Sequence, residues 1–312
     1  MRMKHRMESF LVRIGLRVFS CLPWPTLSVI GKYLGRLAWT LGIRRSSVRE
    51  NLNIAFGKEL DKPDRIARKC YECFGRTHLE YFALPRLREK GILESIEVEG
   101  REHLEAAQER GKGIILLMSH FGNWELVGLM GMHLGLDVHL LVGDLSNSRV
   151  DEQINEMRER LGLKILRRGM ALRSTLKLLR ENKTVLFPGD QEARYHGITV
   201  PMFGRRTLTH PGAAHFALKT GAAILMGFPI RDGSRFRFRF LPPILPEGEA
   251  TKEAVIKWTA VHTAALESMV REFPEQWFWL HRRWKAAPKG EDGLPEKASL
   301  ADPIREPGSA MP

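Results

Sequence analysis

Four short apolar runs constrain this chain more than any other feature. They are GIILLMS (113–119), VHLLV (138–142), TVLFP (184–188) and AAILMGFPI (222–230). Each has the length of a strand and is apolar almost throughout, as a strand covered on both faces must be. The segments between them, 124–134, 150–161, 171–181 and 211–219, read as helices. Strands alternating with helices predict an α/β fold with a mostly parallel central sheet flanked by helices. RFRFRF (235–240) alternates strictly and predicts an outer strand with one wet face, followed by a helix over 251–273.

The chain divides into three stretches. Residues 1–90 read as helices punctuated by Pro23, Pro25, Pro63 and Pro85. Residues 91–285 carry the α/β pattern. Residues 286–312 are rich in Pro and Gly, lack periodicity and read as a disordered tail.

Charge is concentrated at the start. The chain carries a net charge of +13, and residues 1–49 hold ten Lys/Arg against the single acid Glu8. Such a field favours anionic partners, nucleic acid or membrane phosphates. Here the bases are mixed with Phe10, Ile14, Val18, Trp24, Tyr33, Leu37 and Trp39, a pattern suited to the headgroup layer of an anionic membrane surface. No nucleic-acid motif accompanies the charge, so nucleic acid is not expected as a partner. Arg13, Arg17, Lys32 and Arg36 interrupt every window long enough to span a bilayer. A signal peptide is not expected either, since no apolar core leads to a small-residue cleavage site. Cys70 and Cys73 form a C-x-x-C, but within a helical pattern and with no second pair to complete a zinc site.

The chemistry centres on SHFGNWE (119–125). On one continuous helix, His120 and Glu125 would diverge by about 140°. They converge only if His120 precedes the helix on a strand-to-helix turn, with Gly122 in the turn and Asn123 as N-cap. Glu125 would then accept from one ring nitrogen and leave the other to take a proton. A histidine that merely ends a strand fits the same spacing. No G-x-S-x-G, H-E-x-x-H, P-loop or Rossmann glycine pattern is present. A base without an enzyme nucleophile suits direct transfer to an acceptor hydroxyl. Asp190 and Gln191 follow the run 184–188, Arg158 lies on a helix, and PEQWFWLHRRWK (274–285) sets basic residues among three tryptophans. Backbone N–H groups near Gly122 and Asn123, or Arg158, are candidates for holding a tetrahedral oxyanion.

Five stretches together resemble the bacterial lipid A late acyltransferases, the lauroyl and myristoyl transferases of the glycerolipid-acyltransferase-like superfamily. They are VRENLNIAFG (48–57), VEGREHLEAAQERGKGIILLMSHFGNWEL (98–126), VLFPGDQ (185–191), VPMFGRRTLTHPGAAHFALKTGAAIL (200–225) and PEQWFWLHRRWK. The resemblance implies transfer of a fatty acyl chain from a thioester donor, usually acyl carrier protein. The acceptor would be a hydroxyl of a phosphorylated lipid A precursor of the Kdo-linked type, at the cytoplasmic face of the inner membrane. No metal or other cofactor is implied. By position, His120 is the general base and Glu125 its partner. Arg158, Asp190, Gln191 and Asn123 fall on the substrate-binding side, and Gly122 marks the tentative oxyanion turn. Relatives often have a clearer apolar anchor helix; here the arginines interrupt it, and attachment at the membrane surface is expected instead of a span. Another lipid acceptor, such as a phosphatidylinositol mannoside or an amino-acid lipid, and a non-catalytic membrane-binding protein are the rival readings.

Overall fold

The computed structural model describes residues 2–89, 91, 93–143, 147–167, 171–194, 196–233, 235–287 and 289. Its strands are β1 (Glu97–Glu99), β2 (Ile114–Met118), β3 (Val138–Val142), β4 (Lys164–Arg167), β5 (Thr184–Pro188), β6 (Ile198–Met202), β7 (Arg205–Thr209), β8 (Ala223–Asp232) and β9 (Arg235–Phe240). Seven form the central sheet in the order β1-β9-β8-β2-β5-β3-β4, and β6 and β7 pair as a separate hairpin. From β8 to β4 all neighbours are parallel. β9 runs antiparallel to β8 and carries β1 alongside it in parallel.

The four apolar runs are four consecutive inner strands, β8, β2, β5 and β3. Alternation across the pleat feeds two cores. Ile115 and Leu117 of β2 enter one cluster, while Ile114, Leu116 and Met118 enter the other. Residues of α3 (Arg45–Phe56), α4 (Pro63–Glu80), α10 (Gly212–Thr220) and α11 (Lys252–Glu272) line the first cluster. Residues of α6 (Arg101–Glu109), α7 (Glu125–His133) and α8 (Ser148–Arg160) line the second. Helices on both faces of the sheet explain why its inner strands are apolar on both sides.

RFRFRF departs from expectation in one respect. β9 is second from the edge, because the short β1 pairs outside it. Glu99 of β1 pairs with both Arg237 and Arg239, yet the arginine face stays partly wet as expected, with Arg235 exposed and all three Phe side chains buried. A three-residue Glu-Val-Glu strand has no apolar run to announce it. The same holds for β4 and for the hairpin β6–β7, which are short and partly exposed.

Two further helices, α1 (Arg2–Phe19) and α2 (Trp24–Thr40), complete the N-terminal part. α2 crosses α4 at glycine contacts: a Cβ on Gly35 would lie 2.0 Å from the Tyr71 carbonyl oxygen, and one on Gly75 would lie 2.2 Å from that of Gly31. α1 rests on α8, where Gln153 donates to Ser9 Oγ (3.0 Å), and Asn147 just before it donates to the His5 carbonyl (2.9 Å). Both helices leave apolar side chains in solvent: Met7, Phe10, Ile14 and Val18 on α1, and Val29, Tyr33, Leu34 and Leu37 on α2. Among the described residues, no helix is long and apolar enough to cross a membrane. Cys70 and Cys73 are free, buried thiols on α4, and burial pushes both above their ordinary pKa. Of the tail expected over 286–312, all but Ala286, Ala287 and Lys289 lies outside the described residues.

Candidate active site

Sheet register builds the site. β2 and β5 are parallel neighbours in which Met118 stands opposite Pro188. Two residues further along each strand lie His120 and Asp190, at the carboxyl ends where open parallel sheets place their ligands. The ladder continues through the Gly189 N–H, which donates to the Met118 carbonyl (3.0 Å). His120 Nδ1 then lies 2.8 Å from Asp190 Oδ1, and the His120 backbone N–H donates to Oδ2 (2.8 Å). Trp277 Nε1 donates to Oδ2 as well (3.0 Å). A carboxylate only accepts, so Nδ1 carries the proton and Nε2 presents a lone pair.

Electrostatics reinforce that assignment. Burial raises the cost of charge on Asp190, but the imidazole's charge and the donated hydrogen bonds prevail and hold its pKa down at about 2. Burial likewise opposes the His120 imidazolium, yet the Asp190 charge and hydrogen bond, with a further contribution from Glu125, raise its pKa above the ordinary value. Asp190 is 3% exposed and the His120 ring 21% exposed, so the carboxylate is sealed while the imidazole reaches the surface. The amide nitrogen of Gln191 stands 3.3 Å from Nε2. Trp124 and Phe278 frame the ring, with centroids 5.1 and 6.0 Å away, and Phe74 and His78 of α4 extend that aromatic wall.

The expected contact between Glu125 and the imidazole is replaced by another. Glu125 Oε1 and Oε2 accept from Arg158 Nη2 (2.7 Å) and Nε (3.2 Å), a bidentate pair that leaves the ring nitrogen to Asp190. Glu125 opens α7, and Arg158 lies in the last turn of α8. Burial opposes the guanidinium charge, but Glu125 outweighs it and raises the Arg158 pKa further. Glu125 therefore reaches His120 by its charge and not by a hydrogen bond.

Two further expectations at the turn are corrected. Gly122 does supply the turn, at φ +54°, where a Cβ would lie 1.9 Å from the Pro229 carbonyl oxygen. Its N–H is already taken by the Gln276 carbonyl (2.9 Å), which removes it as an oxyanion donor. Asn123 does not cap α7. It is fully buried, and its amide donates to Glu80 Oε2 (3.0 Å), so it braces the turn from below. Glu80 in turn pairs with Arg231 at the end of β8.

The C-terminal segment closes the site. Phe121 bridges Trp277, and Phe278 N–H donates to the His120 carbonyl (2.9 Å). Asn51 of α3 donates to the carbonyls of Trp279 (2.7 Å) and His281 (2.6 Å), joining two of the quoted sequence stretches. His281 Nε2 accepts from the Glu192 N–H (2.9 Å). Burial brings its pKa down to about 4 despite the pull of Asp190. Sequence reading missed Trp124, Trp277 and Phe278 as neighbours of the base; their only signal was an aromatic-rich segment. Among the described residues, no group of three His, Cys, Asp or Glu is arranged to hold a metal ion. The arrangement offers one oriented imidazole whose Nε2 meets the Gln191 side-chain amide, next to a fixed guanidinium–carboxylate pair and an aromatic wall.

Comparison with known proteins gives a consistent result. The family described as bacterial lipid A biosynthesis acyltransferase matches residues 1–286. The lipid A biosynthesis lauroyltransferase of Escherichia coli K12 is 28% identical, over 86% of this chain and 88% of that protein. The lipid A biosynthesis palmitoleoyltransferase of the same organism is 25% identical, over 88% and 89%. The phosphatidylinositol mannoside acyltransferase of Mycolicibacterium smegmatis is 26% identical, over 77% and 79%.

Proposed function

This chain belongs to the bacterial lipid A biosynthesis acyltransferase family, and from that premise we propose that it moves a fatty acyl chain from acyl carrier protein to a hydroxyl of a phosphorylated, Kdo-linked lipid A precursor. The observation that carries the chemistry is the His120–Asp190 pair, with Nδ1 held at 2.8 Å and Nε2 turned away from the carboxylate toward the Gln191 amide. Nε2 takes the proton of the acceptor hydroxyl as its oxygen attacks the thioester carbonyl. The tetrahedral intermediate expels the thiolate, which recovers that proton from the imidazolium, so ester and thiol leave together. Asp190 fixes the tautomer and stabilises the imidazolium without itself taking a proton. The Gln191 amide, beside Nε2, is the side-chain donor best placed for the developing oxyanion. Arg158, held by Glu125, serves the anionic acceptor.

Membrane attachment follows from the N-terminal helices. Their exposed apolar stripes lie beside Arg6, Arg13 and Arg17, a combination that binds anionic interfaces. We place the enzyme at the cytoplasmic face of the inner membrane, bound at the surface. The mycobacterial relatives favour a second acceptor class, a phosphatidylinositol mannoside, with the same chemistry.

The test offers the purified protein C10 to C16 acyl carrier proteins and a tetra-acylated, Kdo-bearing lipid A precursor in detergent, with products read by mass spectrometry. Parallel arms carry coenzyme A thioesters, phosphatidylinositol mannoside, and the His120→Ala variant. One added acyl chain, lost in the variant, is expected. Product only on the mannoside would change the acceptor, and no product on either would remove the assignment.

A further inference from the structure

Beneath the His120–Asp190 pair lies a cavity lined by five segments, four of which bring polar residues to it. Ser119 comes from the end of β2, Gly189 and Asp190 from the end of β5, His262 and Thr263 from α11, and Arg283 from the C-terminal segment. About 10 Å³ of it is open to the centre of a water molecule, room for one water. Three polar atoms of its lining have no hydrogen-bond partner in the protein: Ser119 Oγ, His262 Nε2 and Arg283 Nε. All three residues are at most 2% exposed. Buried donors and acceptors in native proteins are satisfied by protein or by ordered water, and here the three lie around one small cavity.

Arg283 is a buried cation with uncharged partners. Its Nη1 donates to the carbonyls of Gln191 (3.1 Å) and Leu208 (2.8 Å), and its Nη2 to Thr209 Oγ1 (2.5 Å). It therefore grips the residue next to Asp190. Burial lowers its pKa to about 10, with Asp190 and Glu192 opposing, so it stays charged at neutral pH. Burial and Arg283 bring His262 down to about 3, which leaves a neutral ring. The charged or titratable groups that act on this cluster are Asp190, Glu192, His262 and His281, with His120 and Arg194 acting through His281.

We propose that the cavity binds one structural water, shared by Ser119 Oγ, His262 Nε2 and Arg283 Nε, and that Arg283 is a positioning residue that holds Asp190, and through it His120, in register. Arg283 holds the Gln191 carbonyl beside the carboxylate, and the water ties α11 to the loop that bears it. The inference rests on the acyl-transfer reading only where it speaks of rate.

Two measurements test it, and neither needs turnover. A crystal structure at a resolution that shows ordered water should place one water within hydrogen-bond distance of all three atoms, and His262→Leu should lose it. A dry cavity, or Arg283 Nε bonded to a protein atom, overturns the water site. Titration of the His120 ring by NMR should give a lower pKa in Arg283→Met than in wild type, because a loosened Asp190 carboxylate supports the imidazolium less, and Arg283→Lys, which lacks the planar fork, should lower it as well. An unmoved His120 pKa in a folded Arg283→Met overturns the positioning role. If Arg283→Met does not fold, His262→Leu decides: disorder of the Gly189–Gln191 loop is expected, and an unchanged loop counts against the proposal. Where acyl transfer is measurable, His262→Leu should lower kcat about 10-fold with KM unchanged. Absence of turnover in every variant and in wild type would fail the function while leaving both structural measurements standing.

Discussion

The sheet and the N-terminal helices handle apolar side chains in opposite ways. In the sheet, Ile115, Leu116 and Val185 are fully buried and close over the floor of the site. On α1 and α2, Phe10 and Tyr33 stand about 60% exposed, with Met7, Val18 and Leu37 above 50%. Burial of each side chain in the sheet contributes roughly 1.5–3 kcal/mol to folding. The exposed set contributes little to folding in water. A contiguous apolar face of that kind marks a surface meant for something other than water. On the proposed function, the contrast separates two tasks: the sheet would position a proton acceptor, and the helices would position the whole protein at a lipid interface. If that division is right, each task fails without the other.

The largest effect should come from the sheet side. His120→Ala is expected to lower acyl transfer about 10² to 10⁴-fold, followed by product mass spectrometry, with vesicle binding unchanged. Asp190→Asn comes next. It keeps the shape but loses the charge that raises the His120 pKa, and it no longer demands the Nδ1–H tautomer. A rate loss of about 10²-fold is expected, with a diagnostic pH signature. Wild-type kcat/KM should rise with pH through the His120 pKa, which lies above its ordinary value. In the variant that midpoint should move to lower pH, because the imidazolium has lost its counter-charge. A midpoint that stays put would assign the acid limb to another group and break the dyad.

Legibility followed the same division. Strands β8, β2, β5 and β3 were readable because burial on both faces writes a continuous apolar run, and helix positions followed from the gaps between them. His120, Glu125, Arg158 and Asp190 were all on the page as candidates, but their pairing was not. His120 and Asp190 are 70 residues apart, and only the adjacency of β2 and β5 joins them. Glu125 is five residues from His120 and so drew the pairing to itself. Its true partner, Arg158, sits on the next helix in the same layer. The turn showed a similar limit: Gly122 was recognisable from its freedom at positive φ, while the use of its N–H by Gln276 depends on a segment more than 150 residues downstream. Strands with half-polar patterns, β1, β4 and the β6–β7 hairpin, carried no comparable signal.

The helix side should fail independently. Phe10→Glu with Leu37→Glu removes two exposed apolar groups and adds two anions, at positions that touch no part of the site. Withdrawing one such side chain from an apolar interface costs about 1.5–3 kcal/mol, so flotation with anionic vesicles should weaken by at least about 10-fold. Turnover of a detergent-dispersed acceptor should remain near wild type. Loss of both together would show that the helices also shape the site, and the division of labour would fall.

The smallest effect is the most discriminating. Arg13 and Arg17 are exposed on α1 beside the apolar stripe, and a basic residue near an anionic leaflet is worth about 1 kcal/mol. Arg13→Gln alone should therefore weaken binding to anionic vesicles about fivefold at low salt. The difference should shrink as salt rises, since the Debye length falls to about 8 Å at physiological ionic strength. On neutral vesicles the variant and wild type should bind alike, because the apolar contribution is untouched. Phe10→Glu must show the converse, a deficit that persists at high salt where its added charge is screened. If Arg13→Gln instead lost binding equally at all salt concentrations and on neutral lipid, the arginine would be holding α1 in place, and the exposed stripe would owe its orientation to that contact and not to the bilayer.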